Sequence, residues 1–267
     1  MENLSNLDSS LNDASVKIRN SKLETSVLAA KEAASILART LSEKGEARVV
    51  VATGNSQQDM VDALVRLHDI DWARVEVFHM DEYVGIPATH PASFRLWVKT
   101  RVVDIVSPRK VYYLDGEAPD LAKECERYGE LIRSKPLDMC FIGFGENGHI
   151  AFNDPHVADF EDPDTVKRVY LDETCRHQQV GEGHFPNLEA VPREALTLTC
   201  PTLMSATHLL CCVPERRKAE AVRSALEGPL TSLCPASLVR THPRVAIFLD
   251  LESASLLSME ERSKRWG

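Results

Sequence analysis

The sequence predicts an α/β sandwich around a mostly parallel sheet, carried by one domain. Three observations predict it. Continuous apolar runs such as RVVVA at 48–52 and MCFI at 139–142 have the composition of strands buried on both faces. Stretches with apolar residues at helical spacing alternate with these runs, as in βαβ units. The strands run into turns rich in Gly, Asn, Asp and His, at the edge where open α/β sheets bind ligands.

Taken in order, residues 16–19 read as a short strand. Over 22–44, Leu23, Val27, Ala30, Ala34, Leu37 and Leu41 recur in alternating steps of four and three, one helical stripe stopped by Gly45. Strand 48–52 leads through Thr53-Gly54-Asn55-Ser56 into a helix through Met60, Leu64 and Leu67. Strand 75–80 ends in Asp81-Glu82-Tyr83. Helices at 91–105 and 119–134 flank a short strand at 111–114. The central strand 139–142 opens into a turn punctuated by Gly143, Gly145 and Gly148. Residues 156–190, rich in Asp, Glu, His and Gln, read as a surface excursion and lid. Strands at 195–199, 208–213 and 245–249 follow, with helices at 215–227 and 235–240.

No linker, low-complexity tract or repeat divides the 267 residues, so 1–267 is read as a single domain. A net charge of −9 argues against a nucleic-acid partner, which needs a basic face. No apolar run reaches membrane-spanning length. The N-terminus, polar and acidic, lacks a basic-then-apolar signal pattern. Seven cysteines, an odd number without a C-x-x-C pair, read as buried thiols of a reducing compartment, and the expected location is cytoplasmic. The scattered histidines give no metal-ligand spacing, so no metal is expected.

Three clusters carry chemistry. Thr53, Gly54, Asn55 and Ser56 join a strand to a helix, where amides and hydroxyls converge on an anion; capping by Asn55 or Ser56 explains them equally well. Asp81 and Glu82 end an apolar strand, where a carboxylate serves as a base for a proton α to a carbonyl; capping or turn formation is the alternative. His149 stands five residues before Asp154, a carboxylate that would orient it; a satisfied structural histidine is the alternative. The spacing Gly143-x-Gly145-x-x-Gly148 also fits a dinucleotide fingerprint, but Pro155 leaves no room for the long helix that fingerprint needs.

The blocks Asp81-Glu82-Tyr83-Val84-Gly85, His90-Pro91-x-Ser93 and Gly148-His149-Ile150-Ala151-Phe152-Asn153-x-Pro155 resemble the glucosamine-6-phosphate deaminase (isomerase) family. Thr53-Gly54 resembles its phosphate loop, and Lys218-Ala219 its later phosphate-contacting helix. Matches run from about residue 45 to 250. The resemblance implies a Rossmann-like three-layer sandwich and aldose–ketose isomerisation with deamination, a hydrolase in outcome. It places the chain in amino-sugar metabolism, including N-acetylglucosamine catabolism. His149, held by Asp154, would move a proton at the ring oxygen and open the pyranose. Asp81 would shuttle a proton from C2 to C1, with Glu82 assisting, and the ketimine would hydrolyse to fructose 6-phosphate and ammonia. Thr53, Gly54, Asn55, Ser56, Gly148 and Lys218 would hold the sugar phosphate. No cofactor is implied.

The chain departs from the family pattern in three places. Asn147 stands where Asp is frequent, and Asp154 where Glu is frequent. The family's lid arginine has no match in register, Arg176 being the nearest. No allosteric region is recognisable. Relatives differ in assembly, which leaves a homo-oligomer open. Two other readings share the fold: a 6-phosphogluconolactonase, which needs no base for a C2 proton, and a non-catalytic sugar-phosphate sensor, which would normally accompany a DNA-binding module.

Overall fold

A computed structural model describes residues 15–259; the acidic N-terminal stretch lies outside the described residues. Its elements are β1 (Ser15–Arg19), α1 (Lys22–Lys44), β2 (Ala47–Val51), α2 (Asn55–Leu64), β3 (Val75–His79), β4 (Asp81–Tyr83), α3 (Phe94–Val98), α4 (Asp104–Val106), β5 (Lys110–Tyr112), α5 (Leu121–Arg133), β6 (Met139–Ile142), β7 (Val166–Tyr170), α6 (Glu173–Gly181), β8 (Glu194–Leu198), α7 (Cys200–Met204), β9 (His208–Val213), α8 (Ala219–Glu227) and β10 (Val245–Asp250).

Seven strands form one all-parallel sheet in the order β1-β10-β9-β6-β2-β3-β5. Every residue of β2, β6 and β10 is buried, which is why they read as apolar runs apart from Arg48 and Asp250. From β2 the chain moves outward to β3 and β5, whereas from β6 it moves the other way to β9 and β10. The β2/β6 boundary is therefore the switch point, and the turns after both strands open into one crevice.

Several local expectations are corrected. Asp81–Tyr83 does not extend β3; it is a separate strand in a second sheet, β4-β8-β7, whose pairings are antiparallel. Residues 156–190 are more than a surface excursion, since they supply edge strand β7 and helix α6. The helix expected over 91–105 begins at Phe94 and passes through a π-helical turn, Lys99–Val103, before α4. On α1 the buried face is built from Ala29, Ala30, Ala33, Ala34, Leu37 and Leu41, while Leu23 is 64% exposed. The first turn presents Thr25 instead, whose hydroxyl donates 2.9 Å to the Leu249 carbonyl.

Candidate active site

Four segments that follow strands of the large sheet converge on a cavity of about 70 Å³. The turn after β2 supplies Thr53, Gly54, Asn55 and Ser56; β4 supplies Asp81; the turn after β6 supplies His149; and the segment after β9 supplies Lys218. Gln178, Gln179 and Glu182, on or just after α6, close the cavity from above.

Gly54 is the N-cap of α2 at φ +113°, with no side-chain cap and no acid in the first turn. Neither Asn55 nor Ser56 is the cap; both belong to the helix itself. The helix thus turns an uncapped, partly positive N-terminus toward the cavity. Lys218 is 2% exposed, and its ammonium makes no hydrogen bond or ion pair among the described residues. Burial, and then Arg217, push its ammonium down to about 8. A buried cation without a partner, beside an uncapped helix start, can take an anion.

Asp81 is 6% exposed, and its buried Oδ1 has no hydrogen-bond partner. Burial, and then Glu82, hold its carboxyl well above the usual carboxylate range. The strand is steered by His79. Leu114 N–H donates 2.9 Å to His79 Nε2, so the proton sits on Nδ1 and is donated 2.8 Å to the Asp81 carbonyl. Tyr128 fixes the same corner, its hydroxyl accepting from His79 N–H at 3.0 Å and donating 2.9 Å to His79 O.

Glu82 turns away from the cavity. Its oxygens accept from the backbone N–H groups of Tyr83, Phe94 and Arg95, from the Ser93 hydroxyl and from Arg95 Nε. It is spent on the start of α3, the capping alternative that the sequence left open.

His149 Nδ1 lies 3.0 Å from Asp154 Oδ1. That line departs from the ring N–H direction, so the contact is a close approach of imidazole and carboxylate rather than an aligned hydrogen bond. The imidazole lies against Gly145, where an added Cβ would come within 2.4 Å of three ring atoms; only glycine fits. Asn147 does not face the cavity. Its Nδ2 donates 3.0 Å to Asp154 Oδ1 and 3.0 Å to Asp172 Oδ2, and its Oδ1 accepts from His149 N–H at 3.0 Å. Asp172 N–H donates 3.2 Å to Asp154 Oδ2. Burial raises the Asp154 pKa, but His149, Asn147 and the Asp172 amide more than offset this and hold it below the usual range.

Two further expected residues stand elsewhere. Gly148 does not line the cavity; at φ +83° it packs on Cys234, and its carbonyl accepts from Ala236 N–H at 2.8 Å. Arg176 points away, its guanidinium donating to the carbonyls of Leu188 and Val191. Sequence reasoning missed Asp172, Gln178, Gln179 and Glu182, all inside the stretch read as a surface excursion and lid. The helix-capping pattern Asp172-x-x-Cys175 was the available signal, since Asp172 accepts from Cys175 N–H at 2.6 Å.

Donor atoms of His149, Asp154 and Cys175 lie within 4.8 Å of one another. They do not suit a metal: Asp154 is already engaged on both oxygens, and burial pushes the Cys175 thiol up, away from the thiolate a metal takes. No helix starts at the glycines after β6, so a dinucleotide site has no scaffold. What remains is an arrangement that can move protons: a buried carboxylate, an imidazole beside a second carboxylate, and a buried cation at a helix start, in one cavity.

Residues 20–247 match the family described as glucosamine-6-phosphate isomerases/6-phosphogluconolactonase. The chain belongs to this family. A glucosamine-6-phosphate deaminase of Exiguobacterium sibiricum is 37% identical over 217 residues, 81% of this chain and 83% of that one. Glucosamine-6-phosphate deaminase 1 of Bacillus subtilis is 34% identical over 230 residues, 84% and 93% of the two chains. Among solved structures, a monomeric glucosamine-6-phosphate deaminase superposes with a TM-score of 0.82 at 31% identity, covering 91% of this chain and 99% of that one. The 6-phosphogluconolactonase of Trypanosoma brucei has a TM-score of 0.76 at 17% identity, covering 92% and 99%, and shares the fold. Members of the family thus span two chemistries on one sheet, and the cavity must decide between them.

Proposed function

We propose that the chain converts glucosamine 6-phosphate to fructose 6-phosphate and ammonia. The observation that carries this reading is Asp81: a buried carboxylate with an unpartnered oxygen, in the same cavity as His149 and Lys218. Leaving a carboxylate in that state is costly unless it is employed. Its raised pKa brings it closer to the strength a base needs to take and return a carbon-bound proton.

The phosphate sits at the start of α2 and on Lys218, and its binding energy orients the reacting end. His149, steadied by Asp154, moves a proton at the ring oxygen and opens the sugar. Asp81 takes the C2 proton and returns it to C1, giving the ketimine, to which water adds as ammonia leaves. Hydrolysis here is the deaminating half of an isomerisation; the names of the 31–37% identical relatives support that class, and a free-standing hydrolase label has no support from them. A lactonase would need water activation but would leave Asp81 without a task. Unpaired thiols at all seven cysteines support the cytoplasm as its location, and no helix among the described residues is long and apolar enough to cross a membrane.

The test is release of ammonia and fructose 6-phosphate from glucosamine 6-phosphate, with 6-phosphogluconolactone assayed alongside. Turnover of the amino sugar is the expected result. Turnover of the lactone alone would overturn the proposal.

A further inference from the structure

We propose that Glu182 is both the gate of this cavity and its resident counter-anion, which the incoming phosphate displaces so that Arg217 becomes the second cation on the phosphate. The inference rests on reading the Thr53–Lys218 pocket as a phosphate site.

The cavity holds about 70 Å³, well below the ~300–1,000 Å³ of ligand pockets. Something must move for a hexose phosphate to enter. Outside it lies an open vestibule of about 700 Å³ that contains Lys22 and Arg217. Only Asn55, Gln178 and Glu182 line both spaces, so these three form the wall between them.

The wall is held together by its own hydrogen bonds. Asn55 Nδ2 donates 3.2 Å to the Glu182 carbonyl, and Gln178 Nε2 donates 2.8 Å to Glu182 Oε1. Arg217 Nη1 pairs with Glu182 Oε1 from the vestibule side and lies 3.1 Å from Glu146 Oε1, while its Nε donates 2.6 Å to Glu215 Oε2. His184 Nε2 lies 3.3 Å from Glu182 Oε2.

Glu182 is thus a carboxylate lodged in a pocket whose free cation is Lys218. Burial opposes its charge, but His184, Arg217 and Lys218 hold its pKa at about 2, so it is ionised at neutral pH. A phosphate dianion arriving at Lys218 meets this charge at close range in a poorly hydrated site, and the two cannot share it. The departure of Glu182 removes one of three carboxylates from Arg217, whose planar guanidinium suits a phosphate. The backbone permits the swing: Gly181 and Gly183 flank Glu182, Gly183 has φ +79°, and neither would meet a neighbour within 4 Å of an added Cβ.

The experiment is calorimetric titration of inorganic phosphate into the full chain, its Glu182→Gln and Arg217→Met variants and the double variant. Glu182→Gln is expected to bind phosphate several-fold more tightly, and Arg217→Met several-fold more weakly. The gain from Glu182→Gln should shrink in the Arg217→Met background. Glu182→Asp, which keeps the charge but falls a methylene short of Arg217, should give an intermediate gain, and it serves if the Gln variant does not fold. Phosphate affinity unchanged or weakened by Glu182→Gln, with binding still lost in Lys218→Met, would overturn the gate and leave the pocket reading standing. No phosphate binding by any variant would overturn both.

Discussion

His79 Nδ1 donates a buried hydrogen bond to the carbonyl of Asp81, two residues on, at 2.8 Å, while its Nε2 receives Leu114 N–H at 2.9 Å. The ring therefore ties β3, β4 and the segment after β5 into one corner, with the Asp81 side chain facing the cavity from it. Burial pushes the His79 pKa down, which keeps the neutral tautomer in place.

His79→Ala should leave the Leu114 amide and the Asp81 carbonyl without partners, each costing roughly 1–3 kcal/mol. The expected outcome is a lower melting temperature and a fall in kcat with KM little changed, because the corner holds the base and not the phosphate. Steady-state kinetics with a parallel melt would check this. A change confined to KM would contradict the assigned role.

Asp81→Asn should sharply lower turnover while stabilising the protein. The folded-state pKa is raised, so between the ordinary value of ~3.9 and the folded value only the folded state holds the proton. Stability accordingly falls as pH rises through that window and stays low above it. The variant escapes that loss, so its melting temperature should exceed the parent's near neutral pH, the gap closing toward pH 4. Loss of a general base lowers kcat by about 10²–10⁴, with sugar-phosphate binding retained. Full activity in the variant would remove Asp81 from the chemistry.

Much of this site was legible before the fold. Strands buried on both faces announce themselves as apolar runs, and the polar residues that follow them stand out by contrast, as with Thr53–Ser56, Asp81 and His149. The second sheet did not show because β4 has only three residues and β7 (VKRVY) sets Lys167-Arg168 between two valines inside an acidic stretch. The α6 contribution was hidden because Gln178, Gln179 and Glu182 look like solvated surface until the helix is laid over the cavity. Arg176 had the right charge in roughly the right place, but charge does not fix direction, and the carbonyls of Leu188 and Val191 claim it.

Lys218 makes phosphate affinity depend on pH in the alkaline range. Its ammonium, pushed down to about 8, is charged at pH 7 and neutral by pH 9.5. A phosphate ester is a dianion throughout, its second pKa being about 6. The dissociation constant should therefore rise as pH passes 8. Lys218→Met should bind about ten- to a hundredfold more weakly at pH 7, from the loss of a charge-assisted bond of about 1.5–3 kcal/mol, and show little further change up to pH 9.5. A parent whose affinity is flat across that range would exclude Lys218 as a phosphate ligand.

Asn147 is needed in this chain as an amide because it stands between two carboxylates. Its Nδ2 group serves Asp154 and Asp172 at once, a task no carboxylate can perform. Asn147→Asp would replace two donations with two repulsions, so destabilisation of at least ~1.5–3 kcal/mol is expected at neutral pH. Three acids packed together can survive only by sharing a proton, which raises the folded-state pKa of the cluster. By linkage, the deficit relative to the parent should be small at pH 4 and widen as pH rises. Denaturant unfolding at pH 4.5 and 7.5 measures it, and a deficit equal at both would mean that Asn147 contributes shape rather than charge balance. The same variant should lower kcat, because a partly protonated Asp154 no longer steadies the His149 ring.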